Sequence, residues 1–154
     1  MKSIINKLMN TDKDFGAMVA RIFLGAIMLP HGMQKLLGAF GGNGFDGTMA
    51  YFTGMGMPWI FAFLVIMAES LGSLALILGL VGRFMAFGIF CVMMGAISVH
   101  FNNGFFMNWF GANAGEGFEY HLLAVGLALS IMIRGSGAAS IDCLVSRKNK
   151  ITTK

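Results

Sequence analysis

The sequence of 154 residues is short of charge, and this shortage excludes most classes of soluble protein. Lys, Arg, Asp and Glu together make up 12% of the chain, against about 25% in a typical soluble domain. There are two cysteines and no C-x-x-C pair, so we expect neither a disulfide framework nor a thiol-exchange site. The sequence also lacks G-x-S-x-G and phosphate-cradling motifs. A soluble-type enzyme that acts alone is therefore not expected.

Long apolar runs are what the sequence has instead. Hydrophobic residues make up 56% of the chain and the mean hydropathy is +0.74. Four runs approach or reach the roughly 17–25 residues that a helix needs to cross a bilayer; they cover about 17–37, 58–80, 84–101 and 119–134. We expect the first run to be retained, because it contains Arg21 and no small-residue cleavage site follows it. The prediction is an all-α integral membrane protein: one antiparallel four-helix domain over residues 1–154.

The basic residues predict the orientation of these spans. Ten of the eleven lie near span ends that share one side; they are Lys2, Lys7, Lys13, Arg21, Arg83, Arg134, Arg147, Lys148, Lys150 and Lys154. Because Lys and Arg are retained on the cytoplasmic side, we expect both termini to be cytoplasmic, with residues 144–154 as a basic tail. Topology and contact with anionic lipid then explain the net charge of +4. No nucleic-acid partner is needed to explain it.

The two connections on the other side, 38–57 and 102–118, have a different composition. They contain no Lys or Arg and are rich in Gly, Asn and Phe. All tryptophans and tyrosines lie at this boundary: Trp59, Trp109, Tyr51 and Tyr120. An aromatic belt at the membrane interface explains the rings, whereas the glycines indicate close backbone approach or positive φ. We expect both loops to fold back onto the outer membrane surface.

Polar side chains gather in the outer half of the predicted bundle. Pro30 lacks an amide and is expected to kink the first span just before the cluster begins. His31 and Lys35 lie on one helix face, with Gln34 between them. The other members are Glu69 near the middle of the second span, His100 at the end of the third, and Glu119 and His121 at the start of the fourth.

Glu69 and Lys35 each allow a structural and a functional interpretation. An ionisable group at mid-bilayer costs about 2.5 kcal/mol or more, so Glu69 needs a partner or a function. It is either a protonated carboxyl that is hydrogen-bonded between helices or a group that handles protons or binds a ligand. Lys35 either extends to the outer headgroups or pairs with Glu119, Glu116 or an anionic ligand.

The histidines also raise the question of a metal or a haem. Together with Glu69 they supply suitable ligand atoms, but the sequence has no H-x-x-x-H spacing on one helix. We therefore predict no metal site, and we rank a haem between two histidines lower still.

Ordered landmarks along the chain point to a family. They are R-x-x-x-G and H-G-x-x-K in the first span, G-F-D-G in the first loop, E-x-x-G followed by L-G-L-x-x-R across the second span, and G-x-G-A-x-S-x-D after the fourth. In this order, over about residues 15–143, the chain resembles the DoxX family of small bacterial inner-membrane proteins. The resemblance implies a four-helix fold and a role in a quinone-reducing membrane oxidoreductase. It also maps the family's polar positions onto Arg21, His31, Lys35 and Glu69.

The favoured hypothesis is a quinone-interacting subunit with a polar pocket in the outer leaflet. The candidate ligand-binding residues are His31, Gln34, Lys35, Glu69 and Glu119; the candidate proton-handling residues are Glu69, His100 and His121; the structural candidates are Arg21, Pro30 and Gly32. No cofactor motif is present, so electrons would come from a redox partner protein on the outer side. The alternatives are a small proton-coupled transporter or lipid-handling protein, which would require a homo-oligomer, and a non-catalytic assembly subunit.

Overall fold

The computed structural model describes residues 7–111 and 114–152, the last four by their backbone alone. Of the basic positions discussed above, Lys2, Lys154 and the side chain of Lys150 lie outside this description. Within it, all regular secondary structure is helical. The helices are α1 (Phe15–Leu37), α2 (Gly44–Gly54), α3 (Trp59–Met67), a π-helical turn (Ala68–Gly72), α4 (Ser73–Leu78), α5 (Gly82–His100), α6 (Glu119–Arg134) and α7 (Ile141–Thr152), with short 3₁₀ turns at Ala39–Gly41 and Phe101–Asn103.

Three of the four predicted spans form helices that are long and apolar enough to cross a membrane. They are Phe15–Leu37, Trp59–Leu78 and Gly82–Asn103. The fourth predicted span forms α6, whose 16 residues fall just below the roughly 17–25 that a crossing helix needs. Ala124, Ala128 and Ile131 of α6 are buried in the main apolar core, which also includes Ile89 and Met93 of α5. Helix α6 is therefore an integral part of the packed helical unit.

The second span is not a uniform α-helix. The π-helical turn Ala68–Gly72 separates α3 from α4, and such turns are rare and frequently found at functional sites. The sequence analysis did not predict this change of helix type. The predicted kink at Pro30 does not divide the first span, since α1 contains Pro30 and continues to Leu37 as one helix.

A close contact joins α1 to the π turn and α4, and two glycines make it possible. A Cβ at Gly32 would overlap the backbone of Glu69, and one at Gly25 would lie 2.8 Å from the carbonyl oxygen of Ser73. In contrast, Cβ atoms at Gly95 and Gly126 would meet open space. Of these four glycines, only Gly25 and Gly32 lie in this contact, which we call the α1–α4 seam.

Arg21 lies at one end of the seam. Its side chain is fully buried, and a guanidinium has five N–H bonds to satisfy. Five backbone carbonyl oxygens accept from it at 2.5–3.1 Å: those of Leu76, Ile77, Ser136, Ala138 and Ala139. The first two belong to the last turn of α4, whose carbonyls have no partner within the helix. Arg21 thus caps α4 and fastens the segment after α6 to it.

Asp142 performs the matching task at the start of α5. Its carboxylate accepts from the amides of Val81 (2.8 Å) and Gly82 (2.9 Å) and from Ser136 Oγ (2.5 Å). Val81 has φ +48°, a region that β-branched residues rarely adopt, and in this conformation its amide reaches Asp142. A carboxylate at a helix N-terminus also interacts favourably with the helix dipole. The sequence analysis quoted the motif that contains Asp142 but gave this residue no role.

Two further arginines fasten helix ends near Arg21. Arg83 donates to the carbonyl oxygens of Met132 and Ile133 at the end of α6 and to that of Asn10. Arg134 pairs with Asp14 at 2.9 Å, and Asp14 also caps α1. The N-terminal segment, the α4–α5 turn and the end of α6 therefore meet at one end of the protein, which we call the basic end. The other end carries the two loops.

We predict that Arg21→Met destabilises the protein by about 3 kcal/mol or more, because each buried carbonyl that loses its donor costs about 1–3 kcal/mol. Unfolding by sodium dodecyl sulfate, followed by circular dichroism, measures the change. Arg147 is exposed on α7, so Arg147→Met is the matched control and should shift stability by less than about 0.5 kcal/mol. Equal effects of the two substitutions would refute the capping role of Arg21.

We also predict that Gly32→Ala destabilises the protein by about 1–3 kcal/mol, because the added methyl group forces α1 away from the π turn. Gly95→Ala adds the same group in open space and should change stability by less than about 1 kcal/mol. The same unfolding assay compares the two variants. A Gly32→Ala variant as stable as the native protein would show that the α1–α4 seam is not tightly packed.

Candidate functional site

A buried ion pair lies at the other end of the α1–α4 seam. Lys35 Nζ in the last turn of α1 is 2.5 Å from Glu69 Oε2 in the π turn. The side chain of Glu69 is 5% exposed and that of Lys35 is 24% exposed. The sequence analysis offered Glu119 and Glu116 as partners of Lys35, whereas the structure pairs it with Glu69. Burial of a carboxylate in a membrane is energetically costly unless the group is paired, and Lys35 is the partner of Glu69.

Further polar groups lie on the π turn and at the start of α4. Ser70 Oγ donates to the carbonyl oxygen of Ile66 at 2.5 Å. Ser73 Oγ is buried, and it has no hydrogen-bond partner among the residues that the structure describes. Glu69, Ser70 and Ser73 are thus buried polar residues on one apolar span. The sequence analysis did not include Ser73 in the candidate site; its spacing of four from Glu69, which places both on one face of a regular helix, was the available signal.

A row of four rings connects the three predicted histidines. The ring centroids of His31 and Tyr120 are 6.2 Å apart, those of Tyr120 and His121 are 5.5 Å apart, and those of His121 and His100 are 5.0 Å apart with the rings stacked. Tyr120 donates to Met28 Sδ at 3.3 Å. The sequence analysis assigned Tyr120 to an aromatic belt, but the structure makes it the link between His31 and the other two histidines.

The other predicted ligand-binding residues lie in loop contacts. Glu119 accepts from the amide of Met107 at 3.1 Å, and Glu116 accepts from the amide of Asn108 at 2.9 Å. Gln34 Nε2 donates to the carbonyl oxygen of Phe40 at 3.5 Å. The structure therefore divides the predicted cluster into the Lys35–Glu69 pair, the row of rings and a set of residues that hold the loops.

A shallow depression of about 400 Å³ lies on α6. Its lining residues are Glu119, Leu122, Leu123, Gly126 and Leu127, which follow one helix face at spacings of three and four residues. One of them, Glu119, is a ligand-binding candidate of the sequence analysis, and the others are leucines and a glycine. Among residues 7–111 and 114–148, no three His, Cys, Asp or Glu side chains group as metal ligands.

These features define a class: a helical membrane protein of several spans with a buried ion pair between its first two spans. The DoxX family model matches residues 16–109, which is more than half of the chain, so the chain belongs to the DoxX family. The match includes Arg21, Lys35, Glu69 and His100, and it ends before Tyr120 and Asp142.

Two curated proteins extend the similarity over most of the chain. The inner membrane protein YqjF of Escherichia coli (strain K12) is 31% identical over 88% of this chain and 96% of its own length. The protein named "Putative oxidoreductase CatD" of Bacillus subtilis (strain 168) is 27% identical over 92% of this chain and 96% of its own length. No solved structure matches the chain significantly. The family and the apolar helices make this chain a multi-pass protein of the bacterial inner membrane.

The two ion pairs at opposite ends of the protein should differ in their effect on stability. Lys35→Met leaves the buried Glu69 carboxylate unpaired, and we predict a cost of about 3–5 kcal/mol. Arg134→Met removes the pair with Asp14, in which the arginine side chain is 56% exposed, and should cost at most about 1 kcal/mol. Unfolding in sodium dodecyl sulfate measures both. A cost for Lys35→Met as small as that for Arg134→Met would contradict the buried pair.

Proposed function

We propose that this protein is the membrane-embedded subunit of an oxidoreductase system and that it binds a quinone beside Lys35 and Glu69. The observation that carries the proposal is the contact of 2.5 Å between Lys35 Nζ and Glu69 Oε2, with the carboxylate almost fully buried. A buried ion pair is often no more stable than apolar side chains of the same volume. Stability alone therefore does not explain why charges occupy this position.

The groups at this position suit the two carbonyl oxygens of a quinone. The ammonium of Lys35 has three N–H bonds, and the contact with Glu69 uses one of them. The Lys35 side chain is partly exposed, so its remaining donors can reach a ligand that arrives from the lipid. His31 is exposed one turn earlier on α1 and supplies a second donor. The apolar faces of the spans suit the hydrocarbon tail.

The same groups can hold the protons that quinone chemistry requires. Conversion of a quinone to a quinol takes up two electrons and two protons, one proton at each oxygen. The imidazole of His31 can donate a proton to one oxygen, and the ammonium of Lys35, paired with Glu69, can donate one to the other. The electrons would come from a redox partner protein, as the sequence analysis expected. The name of the Bacillus subtilis relative is consistent with such a system.

We also propose that α6 is a fourth span and that the basic end faces the cytoplasm. Helix α6 shares the core of α5, and Arg83 joins the end of α6 to the N-terminal segment. At a rise of about 1.5 Å per residue, α6 approaches the thickness of the hydrocarbon layer. The positive-inside rule then places the basic end on the cytoplasmic side. The ion pair, at the other end of the seam, would lie toward the outer leaflet.

Quinone binding to the purified protein in mild detergent tests the proposal. We predict that Lys35→Met weakens the affinity for a short-tailed ubiquinone or menaquinone at least about tenfold, because a hydrogen bond to a charged group contributes about 1.5–3 kcal/mol. His31→Ala should weaken it by a smaller factor, because an imidazole ring offers fewer N–H donors than an ammonium group. Titration calorimetry measures the dissociation constants, and size-exclusion chromatography verifies that each variant is folded.

Arg134→Met is the control, because it removes an ion pair at the basic end and should leave quinone affinity unchanged. Failure of the native protein to bind either quinone would overturn the proposal. Equal affinities of the native protein and the folded Lys35→Met variant would overturn the assigned site. In either case a further measurement on the Glu69→Gln variant separates the alternatives. A change in substrate flux across vesicle membranes would favour the transporter. An unaltered phenotype of cells that carry the variant would favour the assembly subunit.

A further inference from the structure

Three large rings project from the loop between α5 and α6. The side chains of Phe106, Trp109 and Phe110 are 73%, 76% and 94% exposed, respectively. We call these three residues the aromatic tip. Contiguous exposed apolar surface normally marks an interaction site. The three exposed rings of this loop are therefore a candidate for such a site.

Two carboxylates give the loop its shape. Glu119 Oε2 accepts from the amide of Met107, and Glu116 Oε2 accepts from the amide of Asn108. Both amides lie between Phe106 and Trp109 in the chain. The loop therefore folds back on itself, and its backbone amides donate hydrogen bonds to these two carboxylates. The side chains that project from the tip are apolar.

Backbone and ring contacts reinforce the same shape at the base of the loop. The amides of Phe118 and Glu119 donate to the carbonyl oxygens of Gly104 and Phe105. Phe118 stacks on Phe101 with ring centroids 5.6 Å apart, and it meets Phe105 edge-to-face at 5.5 Å. These contacts fix the base of the loop in one conformation, so the rings of the tip are presented by an ordered scaffold.

The surroundings of the tip indicate what covers it. Two further exposed apolar residues, Phe101 and Phe105, lie between the end of α5 and the tip. Exposed apolar side chains are therefore present along the chain from the end of the third span to the tip. Residues 101–118 contain no Lys or Arg, which excludes electrostatic attraction to phosphate groups as the cause of membrane contact. Tryptophan is most stable where hydrocarbon meets headgroups.

We propose that the aromatic tip inserts into the boundary between headgroups and acyl chains of the leaflet at the loop end, and that Glu116 and Glu119 are positioning residues for this insertion. The partner is the lipid bilayer itself. Glu119 thereby gains a role in place of the ligand-binding one that the sequence suggested. This proposal is independent of quinone binding.

Tryptophan fluorescence tests the insertion directly, because the chain contains two tryptophans and Trp59→Phe leaves Trp109 as the only one. This variant is reconstituted in phosphatidylcholine vesicles that contain lipids brominated near the headgroup end of the acyl chain. We expect bromolipid to reduce Trp109 emission about twofold, as for a group that lies about 5–10 Å deep at the boundary. Iodide on both sides of the vesicle should quench it little.

A second variant tests the role of the carboxylates. Glu116→Gln and Glu119→Gln together, in the Trp59→Phe background, should reduce quenching by bromolipid and increase quenching by iodide, because the amides of Met107 and Asn108 lose their charged acceptors. Asp46→Asn is the control, since Asp46 is an exposed acid in the other loop region; this change should leave both quenching values unaltered. Circular dichroism verifies that each variant keeps its helices.

Two results would overturn the proposal. Strong quenching of Trp109 by iodide, with none by bromolipid, would place the tip in water and make a protein partner the better explanation. Unchanged bromolipid quenching in the folded double variant would show that the carboxylates do not position the tip.

Discussion

The α1–α4 seam, in which α1 packs against the π turn and α4, is the constraint on which the rest of the structure depends. Charged groups in a membrane protein must find partners, since lipid offers none. Along the seam they find them at both ends: Arg21 binds five carbonyl oxygens at one end, and Lys35 meets Glu69 at the other. Gly25 and Gly32 allow the backbones between these ends to come close enough for both contacts to form.

The charged groups are used differently at the two ends of this helix pair. At the basic end the charges of Asp142 and Arg83 are used on backbone groups: Asp142 holds the start of α5, and Arg83 holds the end of α6. At the opposite end the Lys35 side chain of the Lys35–Glu69 pair is partly exposed. A tightly bonded end, with a partly exposed ion pair at the other, suits the site that we propose, because a ligand can then exchange while the helices stay packed.

Much of the fold could be read from the sequence, but the pairings within the candidate site could not. Hydropathy located three of the helices closely, and the cost of charge in lipid drew attention to Glu69 and Lys35. Their pairing joins residues 34 positions apart, and it depends on the depth at which two helices cross. The π turn rotates Glu69 relative to a regular helix, and no residue in Ala68–Gly72 signals that rotation. Asp142 lies 60 residues from the amide of Gly82, so its role also required the folded chain.

The sequence by itself determined that the protein lies in a lipid bilayer, that it is helical, and which polar residues are available to a site. The reason is that the free energies of transfer from water to lipid add up along each apolar run, whatever the run packs against. The tertiary structure alone decided which of those residues meet. Glu119 and Lys35 both looked like partners in one cluster, yet Glu119 bonds to a loop amide and Lys35 bonds to Glu69. The physical reason is that hydrogen bonds and ion pairs act over about 3 Å, so they depend on helix register and rotation, which packing sets.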